Sequence, residues 1–121
     1  MSTQDITAEQ FNDTISGNEI VLVDFWAEWC GPCKAFAPTF KASSEKHPDV
    51  VHAKVDTEAE QALASAAQIQ AIPTLMAFKK GHMVFRHSGM VPATELDAII
   101  AQIKELDVEA AIASQAESEQ A

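Results

Sequence analysis

A chain of 121 residues, 47% of them hydrophobic and 21% charged, has room for one domain and enough apolar side chains to bury a core without metals or structural disulfides. Its net charge of −10, with a single arginine at position 86, excludes nucleic acid as a partner, because phosphate binding needs Lys and Arg in surplus on one face. No apolar run approaches the length of a membrane span, and two cysteines cannot make a secreted disulfide scaffold.

The opening stretch, MSTQDITAEQFNDTI, has neither Lys nor Arg and no apolar signal core, so a cytoplasmic protein is expected. A first strand is expected within residues 2–6, which are poor in β-formers. Thr7 with Gln10 reads as a capping box opening a short helix over 8–15, stopped by Gly17-Asn18. Residues 20–26, IVLVDFW, form the nearly continuous apolar run of a strand covered on both faces. From Cys30 to about His47, the residues Cys33, Phe36, Ala37 and Phe40 share one face at helical spacing, and Pro38 predicts a kink there.

Residues 50–56, VVHAKVD, read as a second valine-rich strand, and the Ala- and Glu-rich residues 58–68 as a helix. Two further strands, Thr74–Lys79 and His82–Ser88, flank the turn signal Lys80-Gly81 and make a hairpin. The last clear helix starts near Pro92 and buries Leu96, Ile99, Ile100, Ile103 and Leu106. Strands alternating with helices before a closing hairpin give an α/β fold, a mixed sheet with helices on both faces. The domain is expected to occupy residues 1–106. Beyond Leu106 the apolar face drifts to Val108 and Ile112, and the end, ASQAESEQA, is small and polar. Residues 107–121 therefore read as an acidic helix that frays into disorder, with a partner-binding tail as the alternative.

Chemistry concentrates in Trp29-Cys30-Gly31-Pro32-Cys33-Lys34, which follows a buried strand and opens a helix. That context gives a Cys-x-x-Cys pair its redox meaning. A helix start presents unpaired N–H groups and partial positive charge, so Cys30 is expected to have a lowered pKa and to act as the nucleophile. Pro32 lies where its missing donor costs nothing. Cys33, one turn on, can attack the mixed disulfide and release the reduced substrate. Zinc is the competing use of paired cysteines. It wants four ligands, and no second pair exists beside the scattered histidines at 47, 52, 82 and 87. No metal and no bound cofactor are expected, only a redox-active Cys30–Cys33 disulfide. A buried inert disulfide is disfavoured because a helix start is an exposed position.

The string from Val23 to Lys34 (VDFWAEWCGPCK), followed by Ala37-Pro38, Ile72-Pro73-Thr74 and Gly89, resembles the bacterial-type thioredoxin family over roughly residues 5–106. The resemblance implies a thioredoxin fold, a central five-stranded mixed sheet flanked by four helices, and a disulfide recycled by thioredoxin reductase. It also implies that Gly31-Pro32 between the cysteines marks a reductant of client-protein disulfides.

Asp24 matches the family's buried proton-relaying carboxylate; an acid inside an apolar strand is also expensive to bury, unless it sits at a wet strand end. Lys54 matches the lysine that pairs with this acid, the alternative being a solvent-facing side chain. Pro73 matches the family's cis-proline, whose loop faces the cysteines and pairs with the client's backbone. Trp29, Gly31, Pro32, Ile72, Pro73 and Gly89 are the expected client-binding positions. Trp29 is read as an exposed contact against the alternative of core packing, and Trp26 as structural. Ala71, His87, Ser88 and Met90 depart from some family members beside this surface. The expected protein is a monomeric protein-disulfide reductase. The alternative is a binding subunit that uses the fold without redox turnover, for which two intact thiols would be superfluous.

Overall fold

The computed structural model describes residues 3–120, with side chains through residue 114. In chain order the elements are β1 Gln4–Asp5, α1 Ala8–Ser16, β2 Ile20–Trp26, α2 Gly31–Lys46, β3 Val51–Asp56, α3 Gln61–Ala66, β4 Thr74–Lys79, β5 His82–Ser88, α4 Ala93–Glu105 and α5 Val108–Gln120. The sheet has five strands in the order β1-β3-β2-β4-β5. Its β1, β3 and β2 run parallel, and β4 and β5 are antiparallel to their neighbours. This is the mixed sheet that alternating strands and helices require.

Strand β2 lies at the centre and has cores on both faces, which is why its sequence is almost wholly apolar. Ile20 and Leu22 point toward Phe36 and Phe40 of α2 and Leu96, Ile100 and Ile103 of α4. Val21, Val23 and Phe25 point the other way, with Ile6, Val55 and Met76, where Phe11 and Leu63 pack over them. Strand parity therefore puts Asp24 on the α2 face with Ile20 and Leu22. The β4–β5 turn uses Lys80 and Gly81 at φ of 52° and 82°, the left-handed pair that a two-residue hairpin needs.

Helix α2 runs through Pro38 without interruption, its amphipathic face holding Phe36 and Phe40 in the core. Helix α3 begins three residues late, because Asp56 Oδ1 accepts the amides of Glu58 (2.9 Å) and Ala59 (3.3 Å) and turns the chain first. The five helices include α5, which follows α4 after Leu106 and Asp107. Val108 at its start is buried, whereas Ile112 is exposed. Asp107 Oδ1 accepts the Ala110 amide at 3.0 Å and caps this helix.

Candidate active site

Two consecutive elements meet at the site: the buried strand β2 delivers the chain to Ala27, and α2 starts immediately after Cys30. Cys30 and Cys33 form a disulfide. Cys30 is the N-cap of α2, and its sulfur accepts the Cys33 amide at 3.2 Å. One of the orphan donors of a helix start is thus aimed at the Cys30 sulfur. Pro32 occupies the first turn, where no donor is needed. Both cysteines are nearly inaccessible, at 4% and 3%, although a helix start had been expected to be exposed. Ala27, Trp26 and Ile72 pack around them.

The loop before β4 forms the opposing side. Ile72–Pro73 is a cis peptide, and the Ile72 carbonyl lies 3.7 Å from Cys30 Sγ. Thr74 Oγ1 donates to the Ala71 carbonyl, and Ser88 Oγ lies 3.3 Å from the same hydroxyl. Gly89 donates its amide to the Pro73 carbonyl at 2.7 Å while at φ 103°, a conformation that a side chain would strain. A groove of about 500 Å³ runs beside the disulfide. Trp29, Cys30, Gly31, Pro32 and Ile72 form one part of its wall, and Ala64, Ile69 and Gln70 of the α3 region form the other. Trp29 is 68% exposed at the rim, the conspicuous apolar side chain of this face. The contribution of Thr57, Ala64, Ile69 and Gln70 had no signal in the sequence, since spacing along a helix does not say which neighbour it faces.

Asp24 is fully buried and neither carboxylate oxygen has a hydrogen-bond partner. Burial pushes its pKa up from 3.8 to about 7, against a smaller downward pull from the Lys54 charge. Lys54 is its register partner on β3. No hydrogen bond joins the two: Lys54 Nζ sits 4.8 Å from the centroid of the Trp26 ring, and its charge acts on Asp24 through space. Trp26 is half-buried with an unpaired indole N–H, consistent with a packing role. Among the described residues no group of acidic, His and Cys side chains could hold a metal, and no helix is long and apolar enough to cross a membrane.

Comparison with known proteins places these features in a family. The Thioredoxin family model matches residues 2–104. The chain is 47% identical over 108 residues to "Putative thioredoxin 2" of Streptomyces coelicolor, covering 89% of this chain and 81% of that one. It is 40% identical over 101 residues to thioredoxin-1 of Saccharomyces cerevisiae, covering 84% and 98%. Among solved structures, thioredoxin of Halobacterium salinarum superposes with a TM-score of 0.78 at 32% identity, covering 88% of this chain and 98% of that one. Thioredoxin of Plasmodium falciparum gives 0.77 at 33%, covering 83% and 98%. A disulfide at the first turn of α2, facing a cis-proline loop on this sheet, is therefore the redox centre of a member of the thioredoxin family, a thiol–disulfide oxidoreductase.

Proposed function

We propose that the chain reduces disulfides of cytoplasmic client proteins and is itself re-reduced by thioredoxin reductase, acting as a monomer without a bound cofactor. The observation that carries this reading is the Cys30 sulfur held as N-cap of α2 at the edge of an apolar groove. In the reduced protein the Cys30 thiolate attacks one sulfur of the client disulfide. The Cys30–client bond forms, and the client's other sulfur leaves as a thiolate that takes up a proton. Cys33 then loses its proton and attacks Cys30 Sγ. The Cys30–Cys33 bond forms, the client's second thiolate leaves, and two electrons have passed to the client.

Asp24 is the proton acceptor for Cys33 in this scheme. It lies on the α2 face of the sheet, and a pKa near 7 lets it take and return a proton at neutral pH. Lys54 biases that pKa downward through space. Trp29, Gly31, Pro32, Ile72, Pro73 and Gly89 receive the client chain. Gly31 has nothing within 4 Å of where a Cβ would stand, so its face of the groove is open to an incoming backbone. Replacing Cys30 by Ser abolishes disulfide reduction, whereas Cys33→Ser accumulates mixed disulfides on Cys30, read by mass spectrometry of trapped adducts. Adducts on Cys33 instead would reverse the two roles, and an active Cys30→Ser variant would end this reading.

A further inference from the structure

Arg86, the chain's single arginine, projects from β5 toward α3. Its Nη1 donates to the Ala67 carbonyl at 2.8 Å and its Nη2 to the Gln68 carbonyl at 2.6 Å. These carbonyls belong to the C-cap residue of α3 and to the residue after it, Gln68, which turns left-handed with φ 57°. Such carbonyls lack intrahelical donors and carry the negative end of the helix dipole, so a cation there is favourable twice over.

Helix α3 needs this help. It has six residues, none of them buried, too short to persist in water on its own hydrogen bonds. Leu63, Ala67 and Ile69 rest only partly buried against the sheet. At its other end, Glu60 Oε1 accepts the Ala8 amide at 2.8 Å and ties α3 to the start of α1. One charged side chain therefore pins each end. In front of α3 is the groove of about 500 Å³, to which it contributes Ala64, with Ile69 and Gln70 just beyond. On its other side lies a second hollow of about 300 Å³, bounded by Ala66, Gln68, Phe78, Met83 and Arg86. With open space on both sides, close packing cannot fix the position of α3 as it fixes a core helix.

We propose that Arg86 is a positioning residue that sets the width of the client groove by clamping α3 to the edge strand of the sheet; this rests on the groove being the client surface. Two N–H donors on a rigid planar fork hold two successive carbonyls in one fixed geometry, whereas a lysine ammonium would sit on a more flexible stem. Without the clamp, the last turn of α3 frays. The Ala67 to Leu63 and Ile69 to Ala64 backbone bonds open, and the groove loses a fixed wall. A client chain must then order that wall as it docks, which lowers its rate of productive encounter. The cysteines stand on β2 and α2 and keep their geometry.

The test uses the full chain with Arg86→Met, Arg86→Lys and Glu60→Ala. Amide hydrogen exchange at Ala67 and Ile69 should accelerate about tenfold in Arg86→Met and less in Arg86→Lys. The rate constant for reaction of the reduced protein with insulin should fall about fivefold. That for the small disulfide dithiobis-nitrobenzoate, too small to span the groove, should not change, and neither should the Cys30–Cys33 potential. Glu60→Ala should shift the insulin rate in the same direction, and it tests the wall if Arg86→Met does not fold. Unchanged exchange in Arg86→Met overturns the clamp. Faster exchange with an unchanged insulin rate overturns its role in docking. A parallel fall with both disulfides does so too, since it locates the damage at the cysteines. Failure of the underlying reading shows separately, as turnover that survives Cys30→Ser.

Discussion

With both oxygens of Asp24 buried and unpaired, the folded protein holds that proton more tightly than the unfolded chain does. Its pKa of about 7 against 3.8 means that the stabilising effect of protonation is complete below 3.8 and is lost as the pH rises through about 7. Once lost, it amounts to a penalty on the order of 4 kcal/mol. Asp24→Asn should leave stability unchanged near about pH 3.5 and raise it near about pH 8, measured by urea unfolding. Reduction of a protein disulfide should slow several-fold near neutrality in the same variant, measured by stopped flow. His52 titrates in the opposite sense. Burial lowers its pKa; Nδ1 lies 2.9 Å from the Val50 carbonyl, and Nε2 lies 2.9 Å from Ser43 Oγ. With Nδ1–H donating to the carbonyl, the neutral ring accepts the Ser43 hydroxyl proton. Its contribution is full above the unfolded value of about 6.5 and fades as the pH falls below it. Where these windows overlap, below about 6.5, the two groups oppose each other, so Asp24→Asn should expose an acid-side slope that the parent chain conceals. Ser43→Ala leaves the buried His52 Nε2 without a partner and should cost about 1–2 kcal/mol in the same unfolding experiment.

Among the elements, the junction of α4 and α5 is held by a side chain that spacing alone would place in the hairpin. Lys79, at the end of β4, is 5% exposed. Its ammonium donates to the carbonyls of Ile103 (2.7 Å), Lys104 (2.9 Å) and Leu106 (2.8 Å), closing the end of α4. Lys79→Met should cost about 2 kcal/mol, because three carbonyls lose a charged donor. By contrast, deletion of residues 110–121 keeps buried Val108 and the Lys80–Glu109 ion pair at 3.2 Å. It removes exposed Ile112. It should shift stability by less than about 1 kcal/mol and leave activity on a protein disulfide unchanged; thermal melts rank the two variants. What separates these cases also separates what sequence can reveal. Strand β2 and helices α2 and α4 bury periodic faces, and their apolar spacing announced them. Helix α3 buries no residue, and its limits come from the Asp56 turn and the Arg86 fork, contacts between residues far apart in the chain.

Across the whole molecule, the redox centre was legible because it is local: four successive residues, a strand before them and a helix after them. The proline loop and Gly89 came from family resemblance, and the far wall of the groove came only from the fold. Lys54 shows the limit of both routes, since register pairs it with Asp24 while its ammonium goes to the Trp26 ring. The order β1-β3-β2-β4-β5 leaves two open margins, and each is unsuited to extension. β1 is two residues long, and the β4–β5 ladder shifts register between Ala77 and Phe78. β5 also carries His82, Arg86 and His87. Short, irregular or charged margins resist being continued by another chain. At the isoelectric pH of about 4.6, mutual repulsion between molecules vanishes and they crowd together. Neighbours should then clump as intact folded units, giving a cloudy suspension that clears on return to neutral pH and never binds an amyloid dye.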